Sequence, residues 1–141
     1  MPQNYSALGF DFLYPDGWKI EDENENDSFT VESPSGAFLA VSKFDVTEGD
    51  EEPIDKAKRA MEEEYDEIEQ EYVTKNFSGI ELIGLIQRFV YLDLIITSNL
   101  LTFEFDGATY LLQVQAEDRE SESLGPVFEA IMTSMCKSLN G

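Results

Sequence analysis

The sequence contains no histidine, which removes Ser-His and Cys-His nucleophile pairs, imidazole acid–base catalysis and nearly all catalytic zinc sites. Carboxylates, one thiol and a few amines remain. Asp22-x-Asn24-x-Asn26 sets side-chain oxygens at alternate positions, as a calcium loop begins. The sixth position, however, is Asp27 where the sharp turn needs glycine, and the twelfth is Ser33 where a bidentate glutamate should stand. The segment reads as a solvated turn. Two acids could converge for glycoside-type chemistry, but no spacing singles out a pair. Gly79 and Gly84 lack the Lys-Ser/Thr pair of a phosphate-binding loop. The expectation is no catalytic residue, no metal ligand set and no cofactor.

Cys136 is the one cysteine, so an internal disulfide is excluded. It lies beside the apolar stripe formed by Met132 and Met135 and reads as a small buried hydrophobe. Lys43 and Arg88 fall inside apolar strands, as strand-end charges or snorkelling stems. The acids are the best candidate functional surface. Asp50, Glu51 and Glu52 precede a helical segment, and Glu62, Glu63, Asp66 and Glu67 follow on its outer face. Such a face would steer and dock a basic partner protein.

The balance of 30 acidic against 9 basic residues leaves a net charge of −21. That field repels nucleic-acid phosphates and anionic headgroups and attracts basic proteins and divalent cations. With 42% apolar and 12% aromatic residues, the chain has the means for a folded core, and 141 residues suit one domain. The N-terminal stretch Met1-Pro2-Gln3-Asn4 carries no basic region or apolar run, so no signal peptide is expected. Leu94 to Phe103, broken by Thr97, Ser98 and Asn99, is too short to span a bilayer. The expected setting is a reducing cytoplasm, bacterial in character.

The elements that must position these residues begin with Phe10, Phe12 and Tyr14, which alternate with Asp11 and Leu13 as in a strand with one buried face. Pro15 to Gly17 make a rigid corner, and Trp18 and Ile20 open a second strand. Phe29 and Val31, then Ala37 to Phe44, form a third and a fourth. Pro53 suits the first turn of a helix. Ile54, Ala57, Met61, Tyr65, Ile68 and Tyr72 recur at steps of three and four, predicting an amphipathic helix of about five turns. Its basic residues stand near the start and its acids crowd the end, against the macrodipole. A short strand at Tyr72 to Thr74 and a Ser78-Gly79 turn follow. Ile80 to Val90 and Ile95 to Phe105 are strands joined near Leu92-Asp93, with apolar groups on both faces of the first. Asp106-Gly107 is a strong hairpin signal, after which Ala108 to Ala116 return. Ser121 or Ser123 could cap a terminal helix striped by Leu124, Val127, Phe128, Ile131, Met132, Met135 and Leu139. The order is four strands, a helix, about four strands and a helix. This predicts an α+β fold, an antiparallel β-sheet with helices on its faces.

Several of these residues resemble the superfamily of the photosystem subunit PsbP, the bacterial DcrB-like proteins and the nuclear-import factor that binds the GTPase Ran. Phe10-x-Phe12-x-Tyr14-Pro15-x-Gly17-Trp18 is similar to their aromatic strand, Tyr-Pro and Gly-Trp opening, and Gly107-x-x-Tyr110 fits a late hairpin. Phe128, Ile131, Ser134 and Met135 stand where the final apolar-Ser-Phe pattern falls, with Met in place of Phe. The resemblance implies an α-β-α sandwich and selects no single activity. The reading is therefore a non-enzymatic protein-binding module, a chaperone, adaptor or immunity-type factor, for which a homodimer is an open arrangement. A small-ligand or divalent-cation binder and a carboxylate enzyme are the alternatives.

Overall fold

Period-two alternation and the turn residues between strands produce nine strands and two helices among the described residues. The computed structural model describes residues 2–23, 27–45 and 49–140. The strands β1 (Gln3–Ala7) and β2 (Phe10–Tyr14) form a ribbon of their own. The strands β3 (Lys19–Glu23), β4 (Ser28–Glu32), β5 (Phe38–Phe44), β6 (Glu69–Phe77), β7 (Ile80–Tyr91), β8 (Leu94–Phe105) and β9 (Ala108–Glu117) form one sheet. Its order is β3-β4-β5-β9-β8-β7-β6, and every neighbouring pair is antiparallel. The helices α1 (Pro53–Glu64) and α2 (Asp118–Leu139) lie against opposite faces. This is the α+β architecture that the residue pattern predicts.

The two faces are unequal. Towards α2, Phe29, Val31, Leu39, Val41, Leu82, Leu101, Phe103 and Leu112 meet Phe128, Ile131, Met132, Met135 and Cys136 in one buried cluster. Each such side chain contributes about 1.5–3 kcal/mol on leaving water. Aromatic edges lock the seam: Trp18 meets Phe128 at 5.2 Å between ring centroids, and Phe10 meets Tyr110 at 5.0 Å. Towards α1, Leu85, Phe89 and Leu100 are buried beside the polar Gln87 and Ser98, and within α1 itself Pro53 is the one fully buried residue. The Gln87 amide donates to Gln70 at 3.0 Å, and that of Gln70 donates to Glu62 of α1 at 3.1 Å.

Structure and sequence pattern part company in four places. First, β2 does not join the main sheet. Its outward N–H groups at Asp11 and Leu13 donate to the Ser138 and Ser134 hydroxyls of α2, at 3.1 and 3.0 Å, so helix hydroxyls replace a neighbouring strand. Second, its partner β1, unforeseen from the polar run before Gly9, is held by a Tyr5 hydroxyl that donates to Asp22. That bond to a carboxylate pushes the Tyr5 phenol up to about 12. Third, α1 stops at Glu64 after about three turns. No basic side chain stands in its last turn to offset the acids gathered at its negative pole, and Glu67 takes a φ of 53°. Ile68 therefore lies outside the helix, and Tyr72 belongs to a nine-residue strand. Fourth, α2 begins at Asp118, with Glu117 as N-cap and no side-chain cap. Ser121 and Ser123 instead donate to the carbonyls of Glu117 and Glu120 within its first turns. Of the calcium-like segment, Asn24 and Asn26 lie outside the described residues.

At Gly84 the strands approach so closely that an added Cβ would sit 1.8 Å from the Leu100 carbonyl oxygen. Backbone cannot yield as a side chain does, so Gly84→Ala should cost about 3 kcal/mol in chemical denaturation. Gly125→Ala, with open space around it but directly before Pro126 within α2, gains helix propensity but sets its Cβ against the proline ring, and should change stability by less than about 1 kcal/mol. Burial pushes the Cys136 thiol up to about 11. Ellman's reagent at pH 8 should therefore leave the native protein unmodified and react stoichiometrically once guanidinium unfolds it.

Candidate functional site

The strands β7 and β8 each run for 12 residues and outlast their neighbours. β6 pairs with β7 only as far as Arg88, and β9 pairs with β8 only as far as Ile96. Beyond those points the hairpin is held by its own pairs, Val90 with Ile95 and Tyr91 with Leu94. It projects past the sheet, and its residues are apolar on both faces. Leu92 is 77% exposed and Val90 64%, while Tyr91, Leu94 and Ile95 are also exposed. Contiguous apolar surface of this kind marks an interaction site far more often than isolated apolar residues do.

The turn at the tip is itself costly. Leu92 and Asp93 have φ of 51° and 64°, the type I′ geometry that asparagine and glycine adopt readily. Leucine in the left-handed region carries a penalty of about 1–2 kcal/mol. Here an exposed leucine occupies that position without a core to fill.

Behind the tip stands Tyr65, the C-cap of α1, whose backbone N–H bonds the Met61 carbonyl at 3.0 Å. Its ring stacks on Phe89 at 4.0 Å and meets the edge of Tyr91 at 6.1 Å. Burial, then the neighbouring Glu64 and Tyr91, raise its phenol above the ordinary value. Tyr65 thus fastens the acidic end of α1, where Glu64 adjoins it and Asp66 and Glu67 follow in the chain, to the base of the hairpin. On the other flank, Glu117, ion-paired to Arg119, stands opposite Ile96, and Asp118 accepts from the Thr97 hydroxyl at 3.2 Å. The apolar tip therefore wears an acidic collar.

The acidic residues singled out in the sequence do not form one continuous face. Asp50, Glu51 and Glu52 precede the first turn of α1, while Glu62 and Glu63 close it, about 18 Å away along a 12-residue helix. Glu51 receives both guanidinium nitrogens of Arg59, one of them at 2.7 Å, which holds its carboxyl below the usual range. Glu62 takes Lys58 at 3.5 Å and Gln70. Glu63, Asp66 and Glu67 are exposed, at and just after the end of α1. The residues missed by sequence reasoning are Val90 to Ile95. Their signal was present: five apolar residues around Leu92-Asp93 leave no polar face on either arm.

A second feature opens between α1 and the β6–β7 edge, a cleft of about 430 Å³ lined by Ile54, Asp55, Lys58, Tyr72, Ile83 and Leu85 among others. Among the described residues, no helix is long and apolar enough to cross a membrane.

No family model matches the sequence, and no curated protein is similar to it at a significant level. Solved structures do match. Cyanobacterial PsbP from Synechocystis superposes with a TM-score of 0.65 at 14% identity, over 94% of this chain and 90% of that one. LpqN of Mycobacterium tuberculosis, involved in cell envelope biogenesis, gives 0.55 at 16% identity, over 93% and 86%. PA94 of Pseudomonas aeruginosa, a protein of unknown function, gives 0.54 at 16% identity, over 94% of each chain. Identities this low speak for architecture alone. Together with the aromatic ribbon, the seven-stranded sheet and the helix on each face, they show that this chain has the PsbP-like fold.

Proposed function

We propose that this chain is a non-catalytic protein-binding module whose docking element is the β7–β8 hairpin tip. The observation that carries this reading is Leu92, an exposed leucine held at positive φ at the end of a hairpin that projects beyond the sheet. Such a residue lowers the stability of the free protein twice, by backbone strain and by exposed apolar surface. Strain of this kind persists where it serves a site. The acidic collar would steer a basic surface towards the tip and reject anionic ones, while burial of Tyr91, Leu92 and Leu94 would supply the affinity. The acids foreseen as a docking face enter this reading in part, through Glu63, Asp66 and Glu67. The ion-paired Glu51 stands apart from it.

A trade between stability and binding tests this assignment. Replacing the turn by Asn-Gly, as Leu92→Asn with Asp93→Gly, should stabilise the protein by about 1 kcal/mol, a rise in Tm of about 3–5 °C. With a photo-crosslinking residue at Tyr91, wild type should give a discrete adduct in lysate, reduced at least tenfold by the Asn-Gly turn and weakened by added salt. Equal adduct yields from both proteins would remove the hairpin from recognition. So would flotation of wild type with zwitterionic lipid vesicles, which would reassign the tip to a lipid surface.

A further inference from the structure

The two outer strands of the main sheet are guarded very differently. β3 is five residues long, and four of them, Lys19, Glu21, Asp22 and Glu23, are charged, a common defence against pairing with another chain. β6 is nine residues long, of which three, Glu69, Glu71 and Lys75, are charged; it contains no proline and keeps an unbroken register with β7.

The Ser78-Gly79 turn determines which backbone groups of β6 are left over. Both residues have positive φ, 52° and 87°, the two-residue type I′ loop in which the closing pair, Phe77 and Ile80, exchanges both hydrogen bonds. Alternation then commits Lys75, Val73, Glu71 and Glu69 to β7. The N–H and C=O groups of Gln70, Tyr72, Thr74 and Asn76 point outward. These four residues present their side chains to the face that carries α1, where Tyr72 and Thr74 line the 430 Å³ cleft. Tyr72 is 77% exposed and Ile83, on its floor, 54%. Backbone hydrogen-bonding groups that no strand among the described residues uses and an open, largely apolar cleft therefore lie along the same row of residues.

We propose that β6 receives an extended segment of a partner protein as an added strand. Apolar side chains on one face of that segment enter the cleft between Tyr72, Ile83 and Ile54, and basic side chains on the other face lie beside Glu69 and Glu71. Main-chain hydrogen bonds supply affinity and alternate side chains supply selectivity, the mode of sheet-edge peptide recognition. Charge decides between a foreign segment and a second copy. Edge-to-edge pairing of two chains brings together two bodies of net charge −21, which repel, whereas a basic segment is drawn in. This surface is separate from the hairpin tip and stands or falls without it.

The test uses labelled nine-residue peptides of alternating valine and lysine, a valine–glutamate counterpart, and the valine–lysine peptide N-methylated along one edge, titrated by fluorescence anisotropy. The valine–lysine peptide should bind at least tenfold more tightly than the valine–glutamate and N-methylated ones. Thr74→Pro removes an outward donor that β7 does not use and should weaken binding at least tenfold with Tm unchanged; Ile83→Asp should do the same through the cleft. Should Thr74→Pro fail to fold, the N-methylated peptide with wild type makes the same measurement. Absence of valine–lysine binding, equal binding of the N-methylated peptide, or undiminished binding by folded Thr74→Pro would overturn the proposal. A wild-type dimer that Thr74→Pro splits, seen by light scattering, would also overturn it and give the edge to a second copy.

Discussion

The apolar seam between α2 and the sheet is the constraint from which the remaining architecture follows. Phe128, Ile131, Met132 and Met135 stand at helical spacing and meet side chains from β4, β5, β7, β8 and β9 at once. The ribbon β1–β2 exists because the same helix offers it serine hydroxyls at Ser134 and Ser138 and Trp18 reaches Phe128 around the Pro15–Gly17 corner. A strand that would otherwise require a sheet neighbour is satisfied by a helix. Hydrophobic burial on this side, at about 25 cal/mol per Å², is what tolerates a chain with a net charge of −21, whose self-repulsion works against compactness.

Against that frame the acids take on two roles. Some are neutralised locally, as Glu51 is by Arg59, Glu62 by Lys58 and Glu117 by Arg119. Such exposed pairs add little to stability. Others gather where the chain is least polar, around the projecting β7–β8 hairpin. In the docking role proposed for it, the tip would attract a basic surface from a distance and hold it by short-range contact, two effects with different reach, since screening limits the first to roughly 10 Å at 0.1 M salt.

Much of this was legible in the residue pattern. Strand alternation from Phe10 onward, the Asp106-Gly107 hairpin, the α2 stripe and the apolar residues on both faces of β7 all follow from period and turn chemistry. Helix α1 was overextended because Ile68 and Tyr72 continue its three-and-four spacing. Periodicity cannot register that the acids at its negative end and the left-handed Glu67 stop it at Glu64. That β2 stands outside the main sheet is not legible in the sequence, because pairing with helix hydroxyls leaves no trace in alternation. The hairpin tip was harder still. Leu92-Asp93 reads as an ordinary turn, and that it outruns its neighbours depends on where β6 and β9 end, which is a property of the assembled sheet.

The unequal investment in the two faces of the sheet has an evolutionary reading. Most of the cohesion resides on the α2 side, so the exposed positions of α1, the cleft rim and the β6 edge can change sequence at small thermodynamic risk. A scaffold divided in this way separates what must be conserved for folding from what can be rewritten for a new partner. It offers a physical reason why chains sharing about one residue in seven, as here with cyanobacterial PsbP, can retain one architecture.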